Sequence, residues 1–113
     1  MVAPNKLQQA PPYLVEEAIK KLGENLRIAR LRRNMTIADA AERIGTGPRA
    51  VSDAERGKPS TGIVVYAALL WLYDQVHQLE EIADPSSDSE GFSLERSKGR
   101  MRARRGKGLD NDF

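Results

Sequence analysis

Apolar residues recur at Val15, Ala18, Ile19, Leu22, Leu26 and Ala29, and that three- and four-residue spacing predicts a long amphipathic helix. Pro11-Pro12 opens it, since proline at the first helical position gives up an N–H that would be unpaired there anyway. Glu16 and Glu17 favour the positive end of the dipole. Arg32, Arg33 and Asn34 supply the cations and the left-handed residue of a C-terminus. A second helix begins after Thr36, which caps it with Asp39 three positions on as a shortened capping box. Ile37, Ala40, Ala41 and Ile44 form its buried face, and Gly45 gives the left-handed exit. Gly47 and Pro48 are the N-cap and first residue of a third helix, which buries Val51, with Ala50 and Ala54 as further candidates. Ala40 and Ala41 are small enough to let the second and third helices approach closely.

Gly57-Lys58-Pro59-Ser60 reads as a turn, with Ser60 or Thr61 capping a fourth helix from Gly62 to Tyr73. That helix is apolar on nearly every side, whereas a surface helix in a small domain shows one stripe. Part of it is therefore expected to meet another chain, through Tyr66, Leu70, Trp71 and Tyr73. Val76 and Leu79, on a fifth helix from Asp74 to Ala83, extend that interface. Core packing is the alternative for Tyr66 and Trp71. Asp84-Pro85 stops the fifth helix. From Ser86 onward, serine, glycine and charge outnumber a few apolar points, too little burial to offset ordering entropy. The expectation is an all-α domain over 13–84, between a flexible arm at 1–12 and a disordered charged tail at 85–113.

Two short helices joined by a three-residue turn, the second with a polar outer face, have the layout of a helix-turn-helix, whose second helix enters the DNA major groove. Arg49, Ser52, Asp53 and Arg56 form that polar face. Arg49 is the candidate for base readout, because a guanidinium pairs bidentately with guanine O6 and N7. A cation near a helix N-terminus opposes the dipole, which favours a functional reason for it. Asp53 either accepts from cytosine N4 or orients Arg49 one turn back. Ser52 touches base or phosphate, or merely covers the helix. Arg56, Lys58 and Ser60 are expected on phosphates, contacts that position without specifying. Thr36 and Gly47, at the starts of the second and third helices, can turn backbone N–H groups to phosphate.

The formal net charge of +2 decides nothing, but its distribution does more. Arg96–Lys107 holds seven basic residues and no acidic one, and the stretch before it, from Asp84 to Glu95, is acidic. The basic run is either a solvated segment, a source of non-specific DNA attraction, or a segment that folds onto an acidic partner surface. No cysteine is present, so disulfides, thiolate nucleophiles and cysteine metal sites are excluded, as suits a reducing cytosol. The N-terminus lacks an apolar signal core, and Ile63–Tyr73 is about half of a bilayer span; a soluble cytoplasmic protein without membrane contact is expected. His77 is the only histidine, with no second ligand near it in sequence. Without a nucleophile beside a base or a glycine-rich phosphate loop, the chain reads as a binding protein, not an enzyme, with no cofactor.

Leu26–Pro59 resembles the Xre/Cro type of bacterial and phage repressors, in Arg30, Thr36, Ala40-Ala41, Gly45 and Ser52-Asp-Ala-Glu55-Arg-Gly57-Lys58. The resemblance implies a five-helix lambda-repressor-like domain. It also implies a buried Arg30–Glu55 pair that sets the angle of the recognition helix; the bland reading is two unrelated surface charges. A narrower likeness lies in Thr46-Gly-Pro-Arg-Ala-Val, Gly57-Lys-Pro-Ser-Thr, Tyr66-Ala-Ala-Leu-Leu-Trp71 and Leu109-Asp-Asn-Asp-Phe113, which look like HipB-like antitoxins. That implies a homodimer on a pseudo-palindromic double-stranded operator, holding a HipA-like kinase toxin inactive, so that Tyr66, Leu70, Trp71, Tyr73, Val76 and Leu79 serve dimer or toxin. Two positions depart from the wider pattern: Ile37 and Pro48 stand where many members carry glutamine. They favour the alternatives of a regulator that relies on DNA shape, or an adaptor that no longer reads DNA. A stand-alone regulator without a toxin is the remaining alternative.

Overall fold

The computed structural model describes residues 5–104 and divides into two units, one ending at Leu79 and one starting at Glu80. In the first unit, α1 (Lys6–Gln9) is a single turn whose Asn5 side chain accepts from the Leu7 N–H. Part of the expected flexible arm is thus helical, because a local side-chain acceptor satisfies the turn's free N–H. Residues 1–4 of that arm lie outside the described residues. Helix α2 (Tyr13–Arg32) has Pro12 as its N-cap, so the helix opens slightly later than the proline pair suggests. Its buried residues are Gly23, Leu26, Ala29 and Arg30. Val15 and Ala18, at the start of the apolar stripe, are exposed. Asn34 takes the left-handed conformation at φ 55°.

Helix α3 (Ile37–Ile44) carries a complete capping box: Thr36 Oγ1 accepts from the Asp39 N–H while Asp39 Oδ2 accepts from the Thr36 N–H, both at 3.0 Å. Those bonds hold the Asp39 carboxyl below the usual carboxylate range. Gly45, at φ 83°, ends the helix. After Thr46, helix α4 (Pro48–Glu55) starts with Gly47 as N-cap and Pro48 at its first position. Helix α5 (Ile63–Leu72) follows, with Gly62 as N-cap. Neither Ser60 nor Thr61 caps it; the residue at the cap has no side chain, and the cap carries no side-chain bond.

The core is Leu26, Ala29, Met35, Ala40, Ala41, Val51, Ala54, Tyr66, Leu69, Leu70 and Tyr73. Helix α3 packs on α4 and α5, and α2 packs on α4. Alanines at 40, 41 and 54 let the backbones come close, and at Gly23 the approach is closest: a β-carbon there would lie 2.5 Å from the Ala54 carbonyl oxygen. In place of a fifth α-helix from Asp74, the chain forms a 3-10 helix over Val76–Glu81. Asp74 turns left-handed at φ 60°, and the Gln75 N–H closes back on the Leu70 carbonyl at 2.7 Å, which ends α5 before a new α-helix can be continued from it.

The second unit contains a short 3-10 turn, Pro85–Ser87, capped by Asp84, and α6 (Ser89–Arg104). Over this span the structure shows helix where a disordered tail is expected. Local terms favour the helix: Asp88 Oδ1 accepts from the Gly91 N–H at 2.9 Å, and Glu90 lies in the first turn, where its charge suits the dipole. The Arg96 guanidinium lies over the Phe92 ring, 5.7 Å from its centre. Residues 105–113, with the Leu109–Phe113 motif and the end of the basic run, lie outside the described residues. Among the described residues, no helix is long and apolar enough to cross a membrane.

Candidate nucleic-acid interface

The site is built on the α3–turn–α4 unit. Gly45 and Thr46 both donate backbone N–H groups to the Ala41 carbonyl, each at 2.9 Å, so the turn is closed by the orphan carbonyl of the helix it leaves. Val51 and Ala54 fix the inner side of α4 in the core with no exposed surface. At helical spacing, the opposite side then carries Arg49, Ser52 and Arg56. Arg49 and Arg56 are exposed and Ser52 is half-buried.

The far end of α4 is tied to α2. Arg30 Nε donates to Glu55 Oε2 at 2.7 Å and Nη2 to Oε1 at 3.0 Å, the paired fork of a bidentate guanidinium–carboxylate contact. Both side chains are under a tenth exposed, at 8% and 5%. Arg30 Nη1 also donates to the Met35 carbonyl at 2.8 Å, so one guanidinium links α2, the loop before α3 and the end of α4. The hydrogen bonds to Glu55 raise the Arg30 pKa against the opposing effect of burial. Arg33 repeats the device at the base of the unit, donating to the Tyr73 carbonyl at 3.1 Å and stacking over that ring.

Asp53 accepts its hydrogen bond from Arg56 rather than from Arg49. Its Oδ1 accepts from Arg56 Nη2, one turn ahead, at 2.6 Å, and Lys58 Nζ lies 3.8 Å from Oδ2. The Arg56 hydrogen bond, followed by the charges of Lys58, Arg56 and Arg49, holds the Asp53 carboxyl below its usual range. An aspartate three residues before an arginine on one helix face is a contact that spacing allows, and the sequence carried that signal. Asp53 thus gathers two of the expected phosphate contacts and is occupied as an acceptor. Arg56 keeps 67% of its side chain exposed, and Ser60 is exposed beyond it.

At the start of α3, the Thr36 N–H is committed to Asp39, so it is not available to a phosphate; the hydroxyl hydrogen of Thr36 remains. Gly47 is exposed, with open space around the position of a β-carbon. Ile37, Pro48, Arg49, Ser52 and Arg56 surround an open cleft of about 570 Å³ between the two helices. Among the described residues, no group of three or more histidine, aspartate or glutamate side chains is placed to hold a metal ion.

The residues expected at an interface with another chain separate into two groups. Tyr66, Leu70 and Tyr73 are core residues at 7%, 7% and 1% exposure, and Leu79 packs partly buried against the same core. A helix apolar on all sides gives no sequence signal of which side faces inward. The outward side consists of Ile63, Val64 and Trp71, with Val76 at the margin. Ile63 and Val64 were not among the expected interface residues, and only the packing of α5 separates them from their equally apolar neighbours.

No curated protein and no solved structure matches the chain. A family model described as helix-turn-helix domain matches residues 21–81, a span that starts in α2 and includes the turn, the exposed face of α4 and all of α5. With more than half of its length matched in this way, the chain belongs to the helix-turn-helix domain family, in its Xre/Cro type.

Proposed function

We propose that the protein is a sequence-specific DNA-binding repressor that works as a homodimer and as the antitoxin of a HipA-like kinase toxin, autoregulating its own operon in the cytoplasm. It acts by binding and carries out no catalysis. The observation that carries the DNA half is the exposed Arg49–Ser52–Arg56 face of a helix whose angle is set by the buried Arg30–Glu55 fork. Arg49 reads guanine, Ser52 assists at base or phosphate, and Arg56, Lys58, Ser60, Gly47 and the Thr36 hydroxyl meet the backbone. Two-fold symmetry then requires half-sites about 34 Å apart, or multiples of that. The outward apolar side of α5, Ile63, Val64 and Trp71, is the surface offered to the second copy or to the toxin. The antitoxin half rests on the likeness of Thr46–Val51, Gly57–Thr61 and Tyr66–Trp71 to HipB-like proteins.

Arg49→Ala decides between this reading and an adaptor that has lost DNA readout, which the apolar Ile37 and Pro48 favour. A repressor loses about 1–3 kcal/mol of binding to its own upstream DNA together with its preference over scrambled duplex; an adaptor binds its partner unchanged and shows no preference in either form. Gel-shift competition measures both. Asp53→Asn is expected to move in the other direction on scrambled duplex. It removes a negative charge facing the phosphates and releases Arg56 and Lys58, so non-specific affinity rises and depends more steeply on salt. Unchanged affinity and salt slope would place Asp53 away from the duplex. Co-purification with the product of the adjacent gene tests the antitoxin half, and its clean failure leaves a stand-alone regulator.

A further inference from the structure

The cleft between the start of α3 and the outer side of α4 has an unusual lining for a surface that meets a polyanion. Ile37 is half-buried and Pro48 exposed, and these two apolar side chains share the cleft with Arg49, Ser52 and Arg56. No carboxylate lines it; the nearest one on α4, Asp53, is engaged by Arg56 and Lys58. Two arginines call for phosphate or guanine, yet neither Ile37 nor Pro48 can donate a hydrogen bond to either through its side chain. An apolar surface between cations fits a ligand that is anionic around its rim and apolar at one point.

The major groove presents one methyl group on its base edges, the C5-methyl of thymine; cytosine has only a hydrogen at that carbon, and the other groups of the groove's recognition code are hydrogen-bond donors or acceptors. We infer that this cleft takes the methyl group of a thymine adjacent to the guanine read by Arg49, with Ile37 and Pro48 as the contact surface. The inference rests on the DNA-reading proposal and adds a base to it. Pro48 opens α4 directly before Arg49 and both line the cleft, so the apolar contact and the guanidinium are offered from one continuous surface to bases close to one another. Ile37 and Pro48 then specify a second base where hydrogen-bonding side chains are missing, so the departure from a polar pattern changes the mode of readout without abolishing it.

Deoxyuridine pairs with adenine as thymine does and lacks only the methyl, so the test needs no altered protein. Full-length protein first selects duplexes from a randomised pool; each thymine of the preferred sequence is then replaced singly by deoxyuridine, and binding is measured by competition. The expected result is one position per half-site, beside a guanine, where the replacement weakens binding about fourfold, the worth of one buried methyl-sized group. In Ile37→Gln, and in Pro48→Ser at an exposed position where folding is not at stake, that difference disappears while other thymines behave as before. A preferred sequence in which every deoxyuridine binds as well as thymine overturns this inference alone and assigns the cleft to another occupant. A pool that yields no preferred sequence overturns the DNA-reading proposal and this inference together.

Discussion

Glu55→Ala is expected to lower the stability of the folded chain by about 3–5 kcal/mol, the cost of breaking a buried ion pair from one side. The reason lies in what remains. The Arg30 guanidinium stays enclosed at 7% exposure, keeps its bond to the Met35 carbonyl, and loses both carboxylate oxygens that now lie at 2.7 and 3.0 Å. A domain of this size has about 5–15 kcal/mol in total, so the variant should lose a large share of its stability. Urea unfolding checks this as a fall in midpoint with little change in slope. Removing both partners, as Arg30→Met with Glu55→Leu, should recover most of the loss, since a buried pair is often no more stabilising than apolar residues of similar volume. The double variant should nonetheless bind DNA more weakly than the original, because the fork that aims α4 is gone. A loss below about 1 kcal/mol in Glu55→Ala would mark the pair as an ordinary surface contact.

Gly57→Ala should cost about 2–5 kcal/mol, from two separate causes. At φ 67° a β-carbon brings about 1–2 kcal/mol of left-handed strain. That β-carbon would also lie 2.7 Å from Lys20 Cα and 2.9 Å from Lys20 N, a clash with helix backbone that adds roughly 1–3 kcal/mol of overpacking. Gly45→Ala is the control. It shares the left-handed backbone at φ 83° but has open space around it, so it should carry the strain alone. Thermal unfolding of the two variants separates the terms, and equal losses would remove the packing explanation. Gly57 also precedes Lys58 and Ser60, so its displacement should weaken DNA binding even in the fraction that folds.

Several parts of this architecture are readable from residues alone because they are local. Thr36 and Asp39, Gly45, Gly47 and Pro48 mark where helices stop and start, and each acts on backbone groups a few positions away. The inner faces of α3 and α4 follow from spacing in the same way. The errors came where the deciding partner is distant or the pattern has no direction. Tyr66, Leu70 and Tyr73 look identical in kind to Ile63, Val64 and Trp71, and only the placement of α2, α3 and α4 against one side of α5 sends the first three inward. Met35 is buried with no periodicity to announce it. Gly23 looks like a flaw in a helix until α4 crosses it. In α6, capping and charge placement favour helix locally without a core, a contribution that composition alone does not register.

The chain's own order of residues determined the all-α class, the helix ends around the turn, and the polar outer face that includes Arg49, Ser52 and Arg56, since these depend on contacts within a turn or two. Tertiary structure decided the rest. It closed the Arg30–Glu55 fork across 25 positions, chose which side of α5 faces out, turned Asp53 toward Arg56, and set Ile37 and Pro48 together in one cleft. Apart from the Asp53–Arg56 contact, which helical spacing allows, these depend on groups far apart along the chain or on which side of a uniformly apolar helix is covered, so they had to await packing.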